Sequence, residues 1–143
     1  MSEDRYPAET LDGEEDDGTI VANLAELGEA VVGHRIVSAE RGKYEDTERP
    51  WRGETSGLIL TLDTGQKVRL ANTDDCCAYT ELEDFFLDPA SVDHAILGVG
   101  ATEGYTTWHI YADFGDVMRL KVGWSCGNPF YYGYGFHIDV VPA

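Results

Sequence analysis

The residues best equipped for covalent chemistry sit together in Thr73-Asp74-Asp75-Cys76-Cys77-Ala78. A thiol attacks as its thiolate, which a neighbouring imidazole, cation or helix N-terminus favours. Thr80 and Glu83 have the spacing of a capping box, so a helix beginning at Thr80 would direct its N-terminus toward Cys77. Cys77 is therefore the candidate catalytic thiol, with His109 or His137 as its base. Asp74 and Asp75 argue the other way, because carboxylates beside a thiol oppose its ionisation. Adjacent cysteines on an extended chain face opposite sides, which is awkward for two ligands of one ion. Structural zinc takes four Cys or His ligands, and only Cys126, His34, His94, His109 and His137 could complete such a set. We read the paired thiols as packing groups beside an Asp-shaped turn, and expect neither metal nor cofactor.

The second unusual stretch, Trp124 to Phe136, holds six aromatic residues and three glycines in thirteen positions. Rings with polar handles on a loop over a rigid sheet suit recognition of a protein, a base or a sugar. A glycine-bent hairpin whose rings alternate between core and surface is the structural alternative. Trp124, Tyr131, Tyr132 and Tyr134 are the candidate contact residues, because eight Tyr and three Trp exceed what one small core must hold. Asp113-Phe114-Gly115 has the letters of a kinase motif, yet the chain lacks the glycine-rich phosphate loop and catalytic-loop signature that would accompany it. It reads as a hairpin turn, where Asp113 and Asp116 could hold a cation but more commonly stay solvated.

Positioning these groups requires a sheet. Gly57 to Asp63 and Gln66 to Ala71 alternate around Thr64-Gly65, the clearest hairpin in the chain. Further strands are expected at Val31 to Ala39, Ala95 to Val99, Thr106 to Tyr111, Val117 to Val122 and Phe136 to Val141. Short helices are expected at Leu24 to Gly28, capped by Asn23, and from Thr80 through Leu82, Phe85 and Phe86 to Asp88-Pro89. Glu40 to Arg52 reads as a surface loop. These elements predict an α+β domain: a mostly antiparallel curved sheet or partly open barrel of about seven strands with one or two short helices.

At 143 residues one core suffices. The net charge of −17 denies the chain the basic footprint of a nucleic-acid binder. Residues 1–18 carry eight carboxylates and one Arg, a like-charge run with no apolar periodicity, and are expected to be an acidic disordered tail ahead of a single domain at 19–143. With no basic stretch leading into a long apolar run, neither secretion nor membrane attachment is indicated. Three cysteines cannot all pair within one chain, which fits reduced thiols in a cytoplasmic setting.

Gly57 to Gly65, Thr73 to Ala78, Trp108 to Asp113 and Trp124 to Phe136 together resemble a family of small uncharacterised proteins of actinobacterial phages and their hosts, over residues 31–141. The resemblance implies a setting, the host cytoplasm, and no activity or catalytic residue. The reading that follows is a non-enzymatic accessory protein that binds a host or viral protein through its aromatic, glycine-rich surface. The alternatives are a protein that sequesters a nucleotide-like small molecule, with Arg35, Arg69 or Arg119 lining the pocket, and an enzyme using Cys77.

Overall fold

Alternation of apolar residues builds most of this molecule, and one helical stripe closes it. The computed structural model describes Tyr6 and residues 19–45, 54–74, 79–125 and 135–142. Among these, α1 (Thr19–Val31) is followed by β1 (Ile36–Glu45), β2 (Glu54–Leu62), β3 (Lys67–Ala71), β4 (Thr73–Asp74), β5 (Tyr79–Leu87), β6 (Gly98–Thr102), β7 (Thr107–Ala112), β8 (Gly115–Ser125) and β9 (His137–Val141). The expected α+β class with mostly antiparallel pairing holds. The strands do not close into a barrel: they form a four-stranded sheet ordered β1-β2-β3-β9 and a five-stranded sheet ordered β4-β5-β8-β7-β6.

One hydrophobic core joins the two sheets and the helix. Leu58, Leu60, Leu62, Val68 and Leu70 come from the first sheet, and Leu82, Trp108, Ile110, Leu120 and Val122 from the second. The helix adds Ile20, Leu24, Leu27 and Val31, the i, i+4, i+7, i+11 stripe of an amphipathic helix. It packs on β6 and β9, the last strand of each sheet, and so covers two edges that would otherwise offer unpaired backbone. Gly33, at φ +87°, ends the helix in the left-handed conformation that suits glycine. The β2–β3 hairpin forms as the sequence predicts, with Leu58 opposite Leu70 and Leu60 opposite Val68.

Four sequence expectations change, the first being that the strand expected over Ala95 to Val99 runs instead over Gly98–Thr102. The helix is longer than Leu24 to Gly28, so Asn23 lies within it, buried, and caps nothing. The segment expected as a strand from Val31 begins only at Ile36, and β1 runs on through Glu45 into what was expected to be loop. The segment from Thr80 is strand β5, not a helix. A bulge between Leu82 and Asp84, where β5 pairs with β8, explains the misreading. One extra residue lets Leu82 and Phe85 both face the core three positions apart, which imitates helical spacing.

The chain passes from one sheet to the other across a single residue, Asn72. Its backbone N–H donates to Ser56 O at 3.0 Å, and its side-chain Oδ1 accepts from the Leu82 N–H at 3.0 Å, so it ties β2 to β5. Asn72→Ala leaves the Leu82 donor without that acceptor and is expected to cost about 1–2 kcal/mol in denaturant unfolding, whereas Asn72→Asp, which keeps the acceptor, should stay close to the parent. At the turn end of the first sheet, the hydrogen bond from His34 holds the Asp63 carboxyl below its usual range.

Candidate functional site on the outer face of the second sheet

Strand β7 alternates cleanly. Trp108, Ile110 and Ala112 turn into the core, while Thr107, His109 and Tyr111 face outward. His109 stands opposite Gly100 on β6 and Arg119 on β8, and Thr102 lies two residues beyond Gly100 on the same outward face. A bulge in the β7–β8 ladder inserts Val117 into the core and leaves Asp116 on the outer face opposite Tyr111.

These positions converge. His109 Nδ1 is 2.8 Å from Asp116 Oδ2, and its Nε2 is 2.9 Å from Thr102 Oγ1. A carboxylate only accepts, so Nδ1–H donates to Asp116, and in the neutral ring Nε2 accepts the Thr102 hydroxyl. His109 is only 8% exposed, and Tyr6 supplies its cover. The Tyr6 ring stacks on the imidazole with centroids 3.9 Å apart and planes 16° apart, and its hydroxyl donates to Asp116 Oδ1. Tyr111 sits beside it, tilted, at 5.8 Å. Gly100 makes the seat possible: a Cβ there would fall 2.5 Å from Tyr6 Cβ.

Thr102, His109 and Asp116 have the connectivity of a hydroxyl, base and orienting carboxylate. The cavity of about 320 Å³ beside Tyr6 is lined by Tyr6, Phe86, Asp88, Asp116, Val117, Met118 and Arg119, and reaches neither Thr102 nor His109. The imidazole is roofed by an aromatic ring and both its nitrogens are engaged, so the array serves better as a rigid polar floor than as a nucleophile.

The turn leading from Thr102 to β7 is strained. Glu103, Gly104 and Tyr105 all have left-handed φ values of 57°, 67° and 64°, which costs a non-glycine residue about 1–2 kcal/mol. Each of the three carbonyls accepts a hydrogen bond: Glu103 O from Thr106, Gly104 O from the Trp124 indole at 3.2 Å, and Tyr105 O from the Trp108 indole at 2.9 Å. Trp124, a predicted contact residue, is half-buried at the end of β8 and braces this turn.

Tyr131, Tyr132, Tyr134, Cys76, Cys77 and Cys126 lie outside the described residues. The described residues do bring the borders of their segments together. Tyr79 pairs with Ser125, Thr80 Oγ1 accepts from the Gly135 N–H at 3.0 Å, and Thr73 Oγ1 donates to Gly135 O at 2.6 Å. Of the proposed bases, His109 is committed to Asp116 and Thr102, and His137 opens β9 opposite Ala71. Asp113 and Asp116 do not share a ligand position, because Asp113 pairs with His94 at 3.1 Å and Asp116 with His109. Of the arginines suggested for a pocket, Arg69 is held by Asp139 through two bonds of 2.9 and 2.8 Å, and Arg119 lies 5.5 Å over the Phe86 ring. Among the described residues no cluster of three His, Cys, Asp or Glu could hold a metal, and no helix is long and apolar enough to cross a membrane.

Sequence reasoning missed the Tyr6–His109–Asp116–Thr102 array, since its members come from three strands and a distant aromatic. One signal was available: Gly98 and Gly100, alternate residues on one face of a short strand, imply that something approaches the backbone closely. Tyr111 does so at Gly98 and Tyr6 at Gly100.

The fold defines a two-sheet antiparallel domain with one edge-covering helix and a polar, aromatic outer face. By sequence, the chain belongs to DUF7448, a domain of unknown function, whose family model matches residues 29–138. No curated protein and no solved structure matches the chain. The family match includes His109, Asp116 and Thr102 but not Tyr6 or the first ten residues of the helix.

Proposed function

We propose that this domain is a non-enzymatic protein-binding module, an accessory protein of the phage type that engages a host or viral protein through residues 124–134. The observation that carries this reading is the anchoring of that segment. At its start, the Trp124 indole is fastened to Gly104 O. After it, Gly135 is bonded to Thr73 and Thr80, and Phe136 to Asn23. Recognition loops gain affinity when a rigid scaffold fixes their ends, because less ordering remains to be done on binding. At the second anchor Phe136 is held in the core as well, meeting Trp108 edge-to-face at 5.4 Å.

The test is affinity capture from a bacterial host lysate with the parent chain, with Tyr131, Tyr132 and Tyr134 jointly changed to Ala, and with Phe114→Ala as control. Phe114 is 79% exposed at the far β7–β8 turn and should not matter. We expect a captured protein that the triple variant loses and Phe114→Ala retains. Capture that survives the triple substitution overturns the assignment.

A further inference from the structure

We propose that the outer face of β6, β7 and β8 is a receptor slot for an unmodified tyrosyl side chain, filled here by Tyr6 of the same chain and open to a partner's tyrosine when Tyr6 leaves. This is independent of the surface at 124–134, and either can fail without the other.

The slot has the parts that a phenol-binding site needs. His109 is its floor, a flat ring held in plane at both nitrogens by Asp116 and Thr102. Gly100 is the gap through which the ligand's Cβ reaches the sheet, and a side chain at that position would close it. Asp116 divides its two oxygens between tasks, with Oδ2 orienting the imidazole and Oδ1 accepting the phenol hydroxyl. A phenylalanine ring would stack equally well but leave Oδ1 without that donor, and a phosphorylated tyrosine would set negative charge against the carboxylate. The recognised group is therefore a ring bearing a free hydroxyl.

Tyr6 lies ahead of the family match, which begins at residue 29, whereas Thr102, His109 and Asp116 all lie within it. Its occupancy is thus a tethered ligand in a site built by the domain. A tether of this kind imposes an effective concentration on the order of millimolar, enough to hold off weak external ligands.

The experiment follows the His109 ring protons by NMR in the full-length chain, using N-acetyl-tyrosinamide and N-acetyl-phenylalaninamide as probes. In the parent, the stacked phenol should shift these protons upfield, and Tyr6→Ala should remove the shift. N-acetyl-tyrosinamide should then restore it in Tyr6→Ala, at least about tenfold more tightly than N-acetyl-phenylalaninamide and than it binds the parent. Gly100→Ala should give the spectrum of the empty slot with no restoration, while a single cooperative thermal transition for Tyr6→Ala, at a midpoint lowered only modestly by loss of the tethered ring, shows the sheet intact. The proposal is overturned if Tyr6→Ala leaves the His109 signals in place, if the tyrosine probe fails to move them in that variant, or if the two probes bind alike.

Discussion

Asn23→Leu is expected to lower the unfolding free energy by about 2–5 kcal/mol, a large share of the 5–15 kcal/mol typical of a domain. Leucine has the branched shape and heavy-atom count of asparagine and is the better helix former, so propensity alone predicts a small gain. The loss comes from hydrogen bonding. The Asn23 amide pairs twice with one residue, Nδ2 donating to Phe136 O at 2.8 Å and Oδ1 accepting from Phe136 N at 2.8 Å, in a buried position. Leucine strands both backbone groups, and each unsatisfied group costs about 1–3 kcal/mol. Asn23→Asp separates the two halves. The carboxylate still accepts from the Phe136 N–H, but its second oxygen faces the Phe136 carbonyl and prefers to be protonated. Its folded pKa therefore lies above the unfolded one. Stability is retained below the unfolded pKa and lost as pH rises through the folded one, so Asn23→Asp should approach the parent at acid pH while Asn23→Leu should not. Denaturant unfolding of the three proteins across the acid range reads both effects, and equal losses for the two variants at every pH would refute the account.

Asn23 also shows where local sequence signals stop. Ahead of Leu24, asparagine is a strong N-cap, and only the backbone of Phe136, 113 positions away, gives it another task. The same limit applies to β5, where spacing of Leu82 and Phe85 suited a helix until the partner strand supplied a bulge. The β2–β3 hairpin was legible because its alternation, its Thr64-Gly65 turn and its pairing are all local. Asp113-Phe114 was likewise legible as a turn, since Ala112 and Gly115 pair directly around it. The outer-face array was not. Thr102 and Asp116 each lie seven residues from His109, a spacing without meaning until a short strand folds back on either side. Tyr6 lies more than a hundred residues away in a segment whose composition argues against structure. Of the stretch ending at Phe136, the described residues Trp124, Gly135 and Phe136 are anchors, whose partners Gly104, Thr73, Thr80 and Asn23 are all distant in the chain.

Trp108→Ala should be the most damaging single substitution, at about 3–5 kcal/mol, because it combines a cavity with the loss of a restraint on a strained turn. The side chain has no exposed surface and meets Phe136 edge-to-face, so its removal leaves a void at the junction of β7 with the segment that enters β9. Its indole N–H also holds the Tyr105 carbonyl, within the run of three left-handed residues that turns β6 into β7. Without that bond the turn retains its backbone cost and loses one of its three restraints. Trp108→Phe keeps most of the volume and the aromatic contact but not the donor, and should cost about 1–2 kcal/mol for the lost hydrogen bond plus incomplete filling. The two variants should differ in place as well as in size. Trp108→Ala should raise amide exchange through the core strands β7 and β8, whereas Trp108→Phe should raise it chiefly at Thr106 and Val122, where the Val122 N–H donates to Thr106 O beside the strained turn. If Trp108→Phe leaves those amides as protected as in the parent, the indole hydrogen bond does not restrain the turn, and Trp108 contributes through volume alone.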